Sequence, residues 1–316
     1  MRLIHVLALL LASCAPSNPL DLPADGGTDA NPVSHGPGNA TVQIGPVALQ
    51  PGVEKTVCVN QRLPIDDPLV INRIAVDLAP GSHHLIVYAT DETQDHAEPI
   101  NCSPFSHILA GDRPLTIVQK PHDELVFPPN VGLLLDAHQM IKLEAHYINA
   151  SPQALAGSAT VRFDGLRNAA GADFIPAAMA FWGTSNFKIP AKSKGDTGVR
   201  FERGYTASYF FALTTHQHQL GTRMRIWHSP KPRDTSQMPL ADNTNWAEPP
   251  LYRVDPPIQF DGVSGLSYRC EWNNTTDMPV GFGESANDEM CFVWMYYFPS
   301  HGFEMCVDGT CVIKNG

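Results

Sequence analysis

The chain has 316 residues, of which 43% are hydrophobic and only 17% charged, a composition that suits folded domains rather than disorder. Its formal net charge of −11 argues against nucleic-acid binding, which needs a basic surface. The length allows two domains of ordinary size, and the 28 prolines and 24 glycines predict the many turns of an all-β protein.

The N-terminus has the features of an export signal. Arg2 precedes a short apolar run from Leu3 to Leu11, which ends in Leu-Ala-Ser-Cys14. This order resembles the bacterial lipobox, in which the cysteine is lipidated; an ordinary secretory signal is the alternative. We predict a signal peptide over residues 1–13, lipidation of Cys14, and export to the bacterial cell envelope, in the periplasm or at the outer membrane. The membrane would be contacted only through this anchor.

A composition change separates the N-terminus from the folded part. Residues 14–42 are rich in Pro, Gly, Asn and Asp and predict a flexible tether. Beyond them, short apolar or alternating runs bounded by turn residues predict β-strands. These runs are Lys55–Val59, Leu69–Leu78, His84–Ala89, Leu133–Ile148, Ala159–Phe163, Ser208–Thr215, Met224–His228 and Cys291–Phe298. The segment Asp164–Asp173 reads as a linker, so we predict two tandem β-sandwich domains, over 43–166 and 167–316.

Histidines in these strands are candidate metal ligands. His216 and His218 are two residues apart, so that in a strand both rings would face the same side. His83 and His84 are adjacent and can share an ion only at a bulge or a strand start, which Pro80-Gly81-Ser82 could provide.

Two further candidates are weaker when taken alone. His146 shares its predicted strand face with His138, which is therefore a rival ligand. Met290 is a lone methionine, and such residues more often pack in cores. A bridge between Cys270 and Cys291 would strengthen the case for Met290 as a ligand, because it would fix the backbone next to the thioether. Imidazole together with thioether suits copper held as Cu(I).

Together the motifs resemble the copper type II, ascorbate-dependent monooxygenases, the family of peptidylglycine α-hydroxylating monooxygenase and dopamine β-monooxygenase. The resemblance covers most of residues 45–306. It rests on Val57–Pro64, His83-His84, Leu143–Tyr147, His216–Gly221, and Ser285–Cys291 followed by Met295–Tyr297. It implies an all-β fold of two tandem jelly-roll-type β-sandwiches.

The resemblance also implies the ligand sets. His83, His84 and His146 match the three-histidine copper of the first domain, which donates electrons. The second-domain copper, which binds O2 and carries out the hydroxylation, is matched by three catalytic ligands: His216, His218 and Met290. His138 has no counterpart in the family. The expected cofactors are two coppers per chain and ascorbate or another one-electron reductant.

Disulfides follow from the same resemblance. It implies Cys58–Cys102 and Cys270–Cys291. Because Phe201 stands near the position of a family cysteine, Cys306 is left to pair with its near neighbour Cys311.

The expected substrate pocket departs from the family. Peptide-hydroxylating members hold a peptide carboxylate at three positions, which here are Thr214, Phe292 and Trp294. These residues predict an apolar pocket without a cation, and therefore a small neutral substrate rather than a peptide.

The leading functional prediction is a copper-dependent monooxygenase, acting as a monomer, that hydroxylates a C–H bond of a small organic substrate. Its partners would be that substrate, O2 and an electron donor. The main alternative is a non-catalytic periplasmic copper-binding or storage protein on the same fold. A carbohydrate-binding β-sandwich with incidental histidines is a weaker alternative, since it would not require Met290.

Overall fold

The computed structural model of the chain describes residues 36–167 and 173–314, and the regular secondary structure in these ranges is entirely β-strand. The all-β prediction is confirmed. Within the same ranges, no helix is long and apolar enough to cross a membrane. The predicted signal peptide, Cys14 and most of the predicted tether lie outside the described residues.

Two sheets form the first sandwich, which comprises strands β1–β10. Its strands are β1 (Pro37–Leu49), β2 (Glu54–Arg62), β3 (Leu69–Leu78), β4 (Ser82–Ala89), β5 (His96–Asn101), β6 (Arg113–Val118), β7 (His122–Val126), β8 (Val131–Leu135), β9 (Met140–Ile148) and β10 (Leu155–Arg167). One sheet has the order β1-β10-β3-β8, with β7 also on β3, and the other has the order β5-β2-β9-β4-β6. In β1, alternate residues such as Ala40, Val42 and Ile44 are buried, as expected for a strand with one face on a core.

The second sandwich comprises strands β12–β24. The strands that follow β10 are β11 (Ile175–Pro176), β12 (Ala178–Gly183), β13 (Lys188–Ile189), β14 (Ser193–Asp196), β15 (Arg200–Arg203), β16 (Tyr209–His216), β17 (Gly221–Ser229), β18 (Ala241–Asn243), β19 (Tyr252–Gln259), β20 (Gly265–Asn274), β21 (Val280–Gly281), β22 (Phe292–Phe298), β23 (Phe303–Val307) and β24 (Thr310–Lys314). Its two main sheets are β19-β16-β22-β12-β23-β24 and β14-β20-β17-β18, with β15 on β20, and β13 pairs with β21.

The two sandwiches share packed surface. The short strand β11 adds in parallel to β8 of the first sandwich. One apolar cluster runs through the first sandwich and continues into Phe181, Trp294 and Tyr296 of the second. The Tyr296 hydroxyl lies 3.0 Å from Oγ1 of Thr116 in β6. The described residues accordingly fall within one compact unit, and the division into two domains stays a prediction.

The observed boundaries differ from three expectations. Strand β1 begins at Pro37, inside the segment predicted as tether. Strand β10 continues to Arg167, so part of the predicted linker Asp164–Asp173 is paired backbone, and residues 168–172 lie outside the described residues. The predicted strand Leu133–Ile148 is two strands, because the chain turns at His138, whose φ is +56°.

Three disulfides connect these elements. Cys58–Cys102 joins β2 to the residue after β5, Cys270–Cys291 joins β20 to the residue before β22, and Cys306–Cys311 closes the β23–β24 hairpin. The first two are the pairs that the family resemblance implied, and the third is the pair expected where the chain departs from the family.

Candidate metal centre

A bulge brings the two histidines of β4 to one side of the sheet. Ser82 pairs with Tyr147 of β9 and His84 pairs with His146, so His83 is the extra residue between two pairs. The ring centroids of His83 and His84 are 5.1 Å apart, and they lie 5.3 and 5.1 Å from that of His146. The bulge is the irregularity that adjacent ligands need.

Strand β16 and the loop after it supply two more histidines. His216 is the last residue of β16 and His218 lies beyond it, where the backbone N–H of Gly221 donates to the carbonyl of His218 at 2.9 Å. The pair therefore lies at the end of a strand. The spacing had predicted a position within a regular strand, which the structure does not show. The two ring centroids are nevertheless only 5.2 Å apart.

The histidines of the two sandwiches meet. The ring of His216 lies 5.7 Å from that of His83 and 5.6 Å from that of His84, and the ring of His218 lies 5.7 Å from that of His83. One nitrogen from each of His83, His84 and His216 lies within 4.8 Å of the others. We call His83, His84, His146, His216 and His218 the histidine cluster. Sequence reasoning missed this meeting, because it placed one ligand set in each half of the chain.

Met290 is buried just before β22 and is tied to the cluster through its neighbours. The carboxylate of Glu289 accepts the backbone N–H groups of His218 at 3.1 Å and Leu220 at 2.6 Å. The Cys270–Cys291 bridge holds the other side of Met290. The backbone of Met290 is thus fixed beside His218, and the role of its thioether as a ligand stays a prediction.

Three of the five rings are held through their outer nitrogen. Nδ1 of His216 lies 2.5 Å from Oε1 of Gln119, and Nε2 of His146 lies 3.0 Å from Oε1 of Glu54. Nδ1 of His218 lies 3.1 Å from the carbonyl oxygen of Asp288. Metal-binding histidines usually donate the outer N–H to such an acceptor, which orients the ring and leaves the other nitrogen for the metal. Gln119 and Glu54 had no signal in the sequence, because only the fold brings them to the rings.

The remaining nitrogens suit a metal ion. Nε2 of His83, Nδ1 of His84 and Nε2 of His216 are buried without a hydrogen-bond partner among the described residues. An unpaired buried polar atom costs free energy, and a metal bond would remove that cost.

The protonation states also suit a metal. Burial, and secondarily the neighbouring rings, lowers the pKa of His83, His84 and His216 well below the ordinary value. Burial lowers the pKa of His146 and brings that of His218 to about 4. All five imidazoles are therefore neutral at pH 7, the form that binds metals.

His138, the rival ligand, lies outside the cluster. It sits in the turn between β8 and β9, and its Nε2 is 3.5 Å from Oδ1 of Asp66 at the surface. The broken strand removes the shared face that had made it a rival of His146.

The three residues predicted to form the substrate pocket are enclosed. Thr214, Phe292 and Trp294 are all buried. Phe105 of the first sandwich stacks on Trp294, with ring centroids 6.3 Å apart, and Phe181 stacks on Phe292 at 4.2 Å. Because apolar surface leaves water when the sandwiches pack together, these aromatic faces cover one another in this structure.

A different opening adjoins the histidine cluster. A cleft of about 260 Å³ has His83, Gln119 and Trp246 in its lining. A larger cleft of about 820 Å³ lies around Arg113, Tyr205 and His301 and contains no candidate metal ligand.

The five buried imidazoles on an all-β scaffold form a cluster suited to holding a metal ion. Residues 196–312 match the family model described as copper type II ascorbate-dependent monooxygenase, C-terminal domain. Residues 196–312 are therefore similar to the C-terminal domain of this family, and that similarity implies copper binding.

Other comparisons add little. No curated protein matches the chain. It is similar to the major capsid protein P2 from bacteriophage PM2, with 9% identity over 83% of this chain and 97% of that one and a TM-score of 0.34. It is also similar to the STIV MCP, with 9% identity over 83% and 96% and a TM-score of 0.36. Likenesses this weak carry no argument about fold or function.

Proposed function

We propose that this chain is a copper-dependent monooxygenase that hydroxylates a C–H bond of a small organic substrate. The observation that carries the proposal is the meeting of five buried, neutral imidazoles from both sandwiches, in a chain whose second sandwich contains the family domain. In the reaction, one atom of O2 enters the C–H bond and the other leaves as water. Two electrons and two protons are consumed, and an external one-electron reductant such as ascorbate supplies the electrons.

Two coppers per chain are assigned from the family resemblance, one to His83, His84 and His146 and the other to His216, His218 and Met290. Bound copper supplies one-electron redox chemistry and a place for O2. The protein's own contribution is to orient the rings through Glu54, Gln119 and the Asp288 carbonyl, and to exclude bulk water by burying all five imidazoles. A thioether at Met290 would favour Cu(I) over Cu(II) at the second site.

The test is copper-dependent turnover by the mature protein. The protein is loaded with copper, and O2 consumption and hydroxylated products are measured with ascorbate and a panel of small neutral organic compounds. We expect about two coppers per chain and substrate-dependent O2 consumption. His216→Ala should abolish product formation, while the control His138→Ala, outside the cluster, should keep it.

The storage alternative predicts a different result. A non-catalytic copper-binding protein would load copper but consume no O2 beyond the background of ascorbate and free copper. That result across the whole panel would refute the monooxygenase proposal and leave copper binding intact.

We also propose that the protein is exported and held at the bacterial cell envelope through a lipid on Cys14. The lipobox-like N-terminus supports this location. Three disulfides in one chain are also typical of compartments outside the cytoplasm.

A further inference from the structure

We propose that the organic substrate binds in the cleft beside Trp246, next to His83, and that it is a small neutral molecule with one aromatic ring or a short apolar chain. This inference rests on the proposed function, because it names the binding site and the class of the substrate. It differs from the pocket predicted from the sequence, which was centred on Trp294.

The cleft lies at the seam between the sandwiches. The first sandwich and its loops supply Leu78–His83, Gln119–Pro121, Ile148 and Ala150, and the second sandwich supplies Trp246, Ala247 and Glu248. The cleft therefore reaches both His83 itself and Gln119, the residue that holds His216. A molecule bound here lies against His83, a proposed ligand of the first copper, and against Gln119, which orients a proposed ligand of the second.

Its size suits a small substrate. The cleft measures about 260 Å³, slightly less than the roughly 300–1,000 Å³ usual for sites of drug-sized ligands. A single ring with a short side chain fits this volume.

Trp246 supplies an aromatic wall. Its indole is only partly buried, and its ring centroid lies 5.8 Å from that of His83 at an interplanar angle of 59°. Because His83 is almost fully buried, the accessible aromatic surface in the cleft is that of Trp246, against which a flat apolar group can pack. Trp294 offers no such face, because Phe105 and Phe181 already pack against it.

The loop that carries Trp246 is held in place from the side of the histidine cluster. The buried side chain of Asn243 donates from Nδ2 to Oγ1 of Thr215 at 2.9 Å and to the carbonyl of Asn245 at 3.0 Å. Asn245 in turn accepts the backbone N–H of Ala247 at 3.2 Å. Thr215 immediately precedes His216, so the indole and the ligand strand are positioned together, as a preorganised binding site requires.

Charge favours a neutral ligand. The charged residues of the lining are Lys120 and Glu248. Lys120 lies 3.4 Å from Oδ1 of Asp123, and Glu248 is exposed at the rim. An anion would meet a neutralised cation and an opposing carboxylate, and the rest of the lining is apolar or uncharged.

The test measures ligand binding separately from turnover. Three probes of similar size are titrated into the copper-loaded, reduced, anaerobic mature protein: benzyl alcohol, benzoate and benzylamine. We expect benzyl alcohol to bind best. Its Kd should rise about tenfold in Trp246→Ala and be largely restored in Trp246→Phe, because a phenyl ring keeps part of the stacking. Trp227→Phe, in β17, is the matched control and should bind like the wild type.

Several outcomes would overturn the assignment. These are unchanged affinity for benzyl alcohol in Trp246→Ala and a larger loss of affinity in Trp294→Phe than in Trp246→Ala. A preference for benzoate would also overturn it, because it would indicate that the cleft binds an anion, such as the reductant, and not a neutral substrate. Thermal unfolding and copper stoichiometry of each variant show whether a loss reflects misfolding. If Trp246→Ala loses binding but the wild type shows no turnover, the monooxygenase proposal is refuted and the binding site stands. If the wild type turns over substrate but Trp246→Ala binds it equally well, the binding site is refuted and the monooxygenase proposal stands.

Discussion

Oε1 of Gln119, in the loop after β6, lies 2.5 Å from Nδ1 of His216, the last residue of β16. The same amide donates from Nε2 to the carbonyl of Thr215 at 2.9 Å. These two bonds define the tautomer of His216: Nδ1 carries the proton and Nε2 is left for the metal. A ligand of one sandwich is therefore oriented by a side chain of the other, and the metal centre depends on how the sandwiches pack.

We expect Gln119→Leu to weaken copper binding about 10- to 100-fold at the site that contains His216, because the ring loses its orienting acceptor. Cu(I) affinity is measured by competition with a chromophoric chelator. Gln139→Leu is the control, since the side-chain amide of Gln139 donates to the carbonyls of Thr90 and Met140 and is not among the groups that orient the histidine cluster in the described residues. Equal affinities in the two variants would contradict the role assigned to Gln119.

Glu54 links the other ligand set to the second sandwich. Its Oε1 lies 3.0 Å from Nε2 of His146 and accepts the backbone N–H of Ala286 at 2.7 Å. Glu54→Gln keeps the shape but removes the charge, and should lower copper affinity at the three-histidine site. It should also speed amide hydrogen exchange at Ala286. The control Glu98→Gln, at an exposed position, should change neither property. Wild-type hydrogen exchange at Ala286 in Glu54→Gln would contradict the role of Glu54 in linking the two sandwiches.

Met290→Ile should remove sulfur from the copper environment and leave the three-histidine site loaded. The substitution keeps an apolar side chain of similar volume, so folding should persist. X-ray absorption of the Cu(I) protein detects the copper–sulfur distance directly. If the sulfur signal survives in the variant, the thioether of Met290 is not the ligand.

Stability should depend on pH through Glu304, which lies away from the histidine cluster. Burial, and secondarily the charge of Glu202, raises the pKa of Glu304 from 4.5 to about 7. The folded state therefore binds the proton more tightly than the unfolded state. This contribution to stability is complete below about pH 4.5 and is lost as the pH rises through about 7.

Glu304→Gln mimics the protonated carboxyl and should match the wild type at pH 5. At pH 8 it should be more stable by about 1–3 kcal/mol. Denaturant unfolding of the metal-free protein at both pH values measures the difference. A constant offset between variant and wild type across this range would show that Glu304 does not titrate with folding.

Cys14→Ser should release the protein from the membrane, either as soluble protein or as retained precursor. A single acyl chain binds membranes only marginally, whereas the several chains of a bacterial lipoprotein hold it stably. Membrane fractionation of expressing cells compares the two forms. Unchanged anchoring of a mature Cys14→Ser protein would rule out lipidation.

The fold class could be read from the sequence because strand patterns are local. Leu69–Leu78 was predicted with its observed limits, since its apolar residues and flanking turn residues lie within one short window. The run Leu133–Ile148 was predicted as one strand, because nothing local marks the left-handed turn at His138. Strand ends depend on pairing with distant residues, which no window of sequence contains.

The candidate ligands were likewise visible in the sequence, because imidazole spacing and a family resemblance are properties of the chain order. What only the tertiary structure decided is how these residues meet. The packing of two sandwiches brings His216 within 5.7 Å of His83, places Gln119 and Glu54 on the outer nitrogens, and encloses Trp294 while leaving Trp246 at an open cleft. Each of these contacts joins residues far apart in the chain, and each follows from the burial of apolar surface between sheets, a force that acts on the whole fold and leaves no motif at any single position.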